Sequence, residues 1–246
     1  MAVLYDNIGY NREILLDLPF REGIGVVTHD VAKPHHVMTM EDPGGGSFVW
    51  TSLDNGLMVM EFVTIGGGAT DGVHLNSIAA NTGDLNFTSG DYSIAGWTKW
   101  GAGTNQSEII IGRYGTNLDG WDCYYNAVSS SLSHRHHHSS LAPNFNSSCF
   151  SAGWVPGVWK FFSISRLGAS LYPLHYRNAV PLAMSYEATG MLDPDTCNRD
   201  LVVGCRNSKD ANWYTGLMWR PRVWGRALSQ EEWSQIFQHE RGWFGV

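Results

Sequence analysis

The stretch 216–237, GLMWRPRVWGRALSQEEWSQIF, constrains the fold more than any other, because it joins a strand to a helix whose first turn is fully specified. Val223, Trp224 and their neighbours are β-branched and aromatic at strand density. Ser229 then stands as N-cap. Its hydroxyl is placed to accept from the amide three residues on, and Glu232 to reach back to the amide of Ser229, a capping box. Leu228 and Trp233 occupy the two positions of a hydrophobic staple, which sets the angle between strand and helix. Trp233, Ile236 and Phe237 follow helical spacing, so one face docks while Gln230, Glu231, Gln235 and Gln238 face water. The helix is expected to stop near Gly242.

The rest of the chain reads as short strands between glycine-rich turns. An apolar strand over 14–20 runs into Arg21-Glu22-Gly23-Ile24-Gly25, and a further strand follows at 57–63. The turns at 43–46 and 66–68 are glycine runs. Over 87–100, FTSGDYSIAGWTKW, Tyr92, Ile94, Gly96 and Thr98 share one face and Ser93, Ala95, Trp97 and Lys99 the other. Trp97 on the second face predicts a middle strand whose outer side is partly covered. Strands at 107–113 and 120–125 flank the turn Gly115-Thr116-Asn117, and a short strand covers 201–204. Residues 1–11 read as an N-terminal arm or first edge strand, and no internal boundary divides 1–246, so a single domain is expected.

These segments together resemble the laminin G-like jelly rolls of the concanavalin A-like lectin and glucanase superfamily. The closing frame is kept by Gly216, Arg222, Val223, Trp224, Arg226, Ala227, Leu228, Ser229 and Glu232, and the opening by residues 14–25. The 87–100 strand, Leu201-Val202-Val203-Gly204, and the hairpin residues Gly157, Trp159, Leu171, Tyr176 and Asn178 hold further parts of the pattern. The family's acidic pair before the last strand is absent, with Met218, Trp219, Arg220 and Pro221 in that region, which argues against a calcium-linked role. The resemblance implies an all-β, concanavalin A-like sandwich of two antiparallel sheets with a short C-terminal helix.

Composition narrows the function. Charged residues are 16%, against about 25% in an ordinary globular chain, and Gly is abundant at 28 residues, which suits many turns. A net charge of −7 argues against a nucleic-acid partner. No apolar run is long enough for a membrane span, and the N-terminus has no basic segment followed by an apolar one, so synthesis in a host cytoplasm without a signal peptide is expected. Cys123, Cys149, Cys197 and Cys205 have no paired spacing and read as free, mostly buried thiols, with one disulfide as the lesser alternative.

Catalysis finds no support: paired carboxylates, a nucleophile elbow and a phosphate loop are all lacking, and Glu231-Glu232 belongs to the helix start. In Ser133-His134-Arg135-His136-His137-His138, a strand would line up His134, His136 and His138, a spacing able to present imidazoles to zinc. The alternative, favoured by the lack of a nearby acid or thiol in sequence, is a solvated loop or edge strand. Asp71, Asp84, Asp91, Asp119 and Asp122 have oxygens for calcium but read as turn formers, so no cofactor is expected. Trp121, Tyr124, Tyr125, Trp213 and Tyr214 fall near expected strand ends, where a ring face stacks on a sugar or anchors a protein contact, though many tryptophans in a sandwich serve its core. The leading expectation is a non-enzymatic virion surface protein, a capsid decoration or tail-associated module, whose partners are other virion proteins and copies of itself. The alternative is a lectin-like module for host surface glycans, and a glycoside hydrolase comes last.

Overall fold

The computed structural model describes Tyr5 and residues 8–42, 49–63, 72–101, 103, 106–139, 146–168, 170, 172–186 and 191–246. The glycine turns at 43–46 and 66–68, Asp71 and Leu171 lie outside the described residues.

Two antiparallel sheets stack face to face. The first is built around β7 (Tyr92–Trp100), flanked by β12 (Trp159–Arg166) and β17 (Gly216–Trp224). Beyond β12 lie β13 (Leu174–Arg177) and β14 (Val180–Pro181). On the other side β17 pairs with β5 (Met58–Phe62) through Gly216–Met218 and with β1 (Ile14–Asp17) through Arg222–Trp224, and β4 (Val49–Ser52) closes that edge. The second sheet runs β15 (Ser185–Tyr186), β11 (Asn146–Ala152), β10 (Ser131–His137), β9 (Asp119–Asn126), β8 (Ser107–Gly115), β16 (Leu201–Val203), β6 (His74–Ser77), β3 (Val37–Glu41) and β2 (Val27–His29). Strand alternation sorts the core. Tyr92, Ile94, Phe162, Ile164, Met218 and Val223 from the first sheet meet Ile111, Trp121, Cys123, Tyr125, Leu132 and Val203 from the second.

The other face of the first sheet is buried as well. Ala95, Trp97, Trp159, Phe161 and Trp224 point away from the second sheet, into a layer formed by α1 (Gln230–Glu240) and the residues after it. Trp97 stacks on Phe244 at 4.2 Å and on Phe237 at 5.7 Å, so its outer side is fully covered rather than partly. The helix begins as its sequence dictates. Glu232 N–H donates to Ser229 Oγ at 3.3 Å, Ser229 N–H donates to Glu232 at 3.0 Å, and the staple residues Leu228 and Trp233 are buried. A turn of 3-10 helix over Arg241–Trp243 follows.

Where the resemblance led one to look for acids, β17 bulges between Trp219 and Arg222, with Arg220 at a φ of 52°. The bulge aims two guanidinium groups under the helix. Arg222 donates to both oxygens of Glu240 at 2.8 Å, Arg220 reaches Glu240 at 2.9 Å and both oxygens of Asp17 at 2.8 and 2.9 Å, and Trp97 Nε1 donates to Glu240 at 2.8 Å. Burial alone would raise the Asp17 carboxyl, but Arg220, with Arg222 behind it, holds it below its ordinary value. Tyr5 also donates to Asp17 at 2.5 Å. The described part of the N-terminal segment is a 3-10 turn at Gly9–Asn11, tied to β17 by Trp224 Nε1 donating to Tyr10 O at 2.7 Å; it is not an edge strand.

The sequence expectation fails most plainly at β10. It is neither a solvated loop nor an edge but an interior strand, paired in full register with β9 and β11. Its histidines are accommodated by partners remote in sequence, described next.

Candidate binding site

The five aromatic residues expected to meet a ligand are all buried. Trp121, Tyr125 and Tyr214 point between the sheets: Trp121 Nε1 donates to Leu85 O at 3.0 Å, Tyr125 stacks on Trp100 at 5.0 Å, and Tyr214 meets Phe62 edge-on at 5.6 Å. Trp213 is covered by the backbone of Gly72, where a Cβ would fall 2.1 Å from the indole ring. Tyr124 faces outward from the second sheet but lies under the Arg135 guanidinium, 4.1 Å from its ring centre. Their proximity to strand ends in sequence does not expose them, because each ring falls on a packed face or under a neighbouring segment.

The histidines divide by alternation. His134 and His136 point into the sandwich and converge on Tyr92 Oη, which lies 2.6 and 2.5 Å from their Nε2 atoms. Burial depresses His134 to about 4, and His136 is also lowered, burial coming first and the neighbouring His134 second. His137 takes the opposite face and stacks on Tyr114 at 4.8 Å. His138 lies past the end of the strand, facing Asp193 and Asp195, so it does not join the other two. Among the described residues, no three His, Cys, Asp or Glu side chains are arranged to hold a metal ion.

The described acids offered for calcium serve local structure. Asp84 pairs with His36 at 3.0 Å, Asp91 accepts from Gly168 N–H at 2.6 Å, Asp119 accepts from Gly115 N–H at 2.9 Å, and Asp122 is gripped by two nitrogens of Arg135. They close turns and neutralise arginine instead of gathering around one point.

A different set of residues forms the groove best suited to a polar ligand. It has a volume of about 310 Å³, sits at the edge of the first sheet beside the β17 bulge, and is lined by Phe20, Arg21, Asn55, Trp219, Arg220 and Trp243 among others. Three local devices build it. The turn between β4 and β5 carries Asn55, whose Nδ2 donates to Trp243 O at 2.6 Å and whose Oδ1 accepts from Leu57 N–H at 3.1 Å. The bulge places Trp219 as the floor, nearly buried at 6% exposed and 5.5 Å from Phe244. The 3-10 turn after α1 leaves Trp243 standing at the rim with 46% of its surface free. Arg21 adds an exposed cation. No carboxylate is among its described lining residues, whose rings, amide and guanidinium groups offer stacking and hydrogen bonding. Three larger grooves are less apt: among their described lining residues, one of 530 Å³ beside Ile14 and Lys33 has no aromatic ring, one of 490 Å³ beside Leu167 and Leu174 has no charged group, and one of 390 Å³ beside Arg199 and Asp210 has a single ring, Tyr114, which is buried.

Sequence reasoning passed over this groove. Its signals are single residues spread from position 19 to 243, and the local pattern around Trp243, a Gly-Trp-Phe-Gly run, reads only as the end of a helix.

No family model and no curated protein sequence matches the chain. Solved structures do. The receptor-binding domain of botulinum neurotoxin D superposes with a TM-score of 0.64 at 14% identity over 94% of this chain and 54% of that one. A structure of botulinum neurotoxin type C, described as dependent on two ganglioside molecules for entering cells, gives 0.64 at 12% identity over 93% and 52%. The binding domain of Paraclostridial Mosquitocidal Protein 1 gives 0.63 at 12% identity over 94% and 53%. The chain spans about half the length of the structures it matches. At these identities the likeness is one of fold: the chain shares the jelly-roll-like β-sandwich found in these binding domains.

Proposed function

We propose that the chain is a non-enzymatic carbohydrate-binding module, a laminin G-like jelly roll that takes a sugar in the Trp243 groove. The observation that carries this reading is the half-exposed Trp243 indole at the rim of a groove whose described lining includes Asn55, Arg21 and Arg220 and no acid. A pyranose offers an apolar C–H face for the ring and hydroxyls for the amide and guanidinium groups, and a few convergent polar groups in such a groove suffice to fix orientation. The structural neighbours support it, since the chains they come from are binding domains and one is tied to gangliosides. The setting expected from the sequence, the surface of a virion, stays with this proposal as the place where such a module would act.

A glycan array with the full chain tests the reading. The expected result is reproducible binding to a defined set of glycans, weakened roughly tenfold or more by Trp243→Ala. A flat array, or binding indifferent to Trp243, overturns it. Substituting Trp121 or Trp213 is no test of binding, because both are core residues whose loss would damage the fold.

A further inference from the structure

The convergence of Tyr92, His134 and His136 has a proton count that does not close. His134 Nδ1 lies 2.9 Å from Asp122 O, and His136 Nδ1 lies 2.6 Å from Leu192 O. A backbone carbonyl only accepts, so both Nδ1 atoms carry the hydrogen and both neutral rings present an Nε2 lone pair. Those two lone pairs face one phenol oxygen at 2.6 and 2.5 Å. The phenol has a single hydrogen and satisfies one of them. The second contact sets lone pair against lone pair, inside a site where all three residues are 0% exposed.

We propose that Tyr92, His134 and His136 bind one transition-metal ion of the zinc class between the two sheets. On binding, the ion displaces the phenol proton to solvent, and the phenolate oxygen and the two Nε2 atoms each donate a lone pair to it. Every donor is then engaged. Imidazoles whose other ring nitrogen is fixed by a backbone carbonyl are the arrangement metal-bound histidines adopt, because that hydrogen bond sets tautomer and ring orientation. The rings are already disposed for it: the imidazole centres are 5.1 Å apart and lie 5.8 and 6.0 Å from the Tyr92 ring centre. Bonds of about 2.0 Å at tetrahedral angles need donors about 3.3 Å apart, so the three atoms part by about 0.7 Å. Cys123 and Cys149 stand opposite His134 on the strands to either side but complete no ligand set with the two imidazoles, and Cys149 Sγ faces His175 Nε2 at 3.4 Å, so a water entering with the ion takes the fourth position. Nothing in this inference depends on the glycan groove.

The test uses the full chain without an affinity tag, refolded from denaturant with chelator, with zinc or with cobalt(II). The expected result is one equivalent of metal per chain, visible cobalt bands of a tetrahedral site, and a melting temperature that chelation lowers by more than about 5 °C. Both His134 and His136 Nε2 nitrogen resonances should move on zinc binding, and Tyr92→Phe should lose the metal. If Tyr92→Phe fails to fold, stoichiometry and the two nitrogen shifts in the native chain decide alone. A refolded chain without stoichiometric metal, or metal held only by exposed histidines such as His29 and His239, overturns the proposal.

Discussion

The two faces of the first sheet bury polar side chains in opposite ways. Beneath α1 the polar groups are ions, and each is met by its opposite: Arg220 and Arg222 against Asp17 and Glu240, with Trp97 Nε1 donating to a Glu240 oxygen that Arg222 also holds. Between the sheets they are neutral, a phenol and two imidazoles under Tyr92, with a lone pair left over. Glu108 is a third solution, a wholly buried acid with no cation beside it among the described residues, whose carboxylate accepts Thr215 N–H at 2.9 Å and has the Trp100 indole and the Gly103 amide as further neighbours. Countercharge makes a buried ion tolerable but costly to disturb, whereas neutral groups are cheaper to lose and more open to a proton or a metal.

The sharpest way to break this contrast is Glu240→Ala. It leaves two buried guanidinium groups facing one remaining carboxylate, and a loss of about 3–5 kcal/mol is expected in denaturant unfolding. A loss below 1 kcal/mol would mean that the cluster is not what fixes the helix to β17.

Glu108 comes next and its effect depends on pH. Burial lifts its carboxyl to about 7 from an ordinary 4.5. The folded state therefore holds a proton that the unfolded state releases between those values. Its contribution to stability is complete below about pH 4.5 and is lost as pH rises through about 7. Relative to Glu108→Gln, the native chain should lose roughly 3 kcal/mol between pH 4.5 and 8. Parallel pH profiles for the two proteins would show that the acid is charged in the fold and paired.

Ser229→Ala should cost about 1 kcal/mol by removing the hydroxyl that caps α1, with the helix otherwise intact. Tyr92→Phe in metal-free protein should change stability least, by less than about 1 kcal/mol, because it removes one hydrogen bond together with one opposed pair of lone pairs. A large loss there would make the inner cluster as dependent on its partners as the ionic one.

How far the sequence discloses these regions follows from how local their causes are. The capping box and staple lie within six residues, so Leu228, Ser229, Glu232 and Trp233 are readable and the helix forms where expected. The alternation of 92–100 is equally local, and its residues sort onto the two faces as read, while the full cover over Trp97 comes from Phe237 and Phe244, far along the chain. β10 is not readable, because Ser-Leu-Ser-His-Arg-His-His looks solvated until Tyr92, the Asp122 carboxylate and carbonyl, and Leu192 O are brought to it from other strands and loops. β11, with the sequence NSSCFSA, lacks an apolar alternation and owes its place to β10 and β15. The charge cluster hides for the same reason: Asp17 and Arg220 are 203 residues apart. In the groove, Asn55 and Trp243 are 188 apart, and no spacing rule connects them.

The central claim is that a sugar binds at Trp243, and the indole N–H resonances of the 11 tryptophans report on it directly during titration with a glycan that the array identifies. Saturable shifts are expected at Trp243 and smaller ones at Trp219 beneath it, with Trp121 and Trp213 unmoved. Shifts centred on other tryptophans, or a spectrum unchanged at saturating glycan, would contradict it.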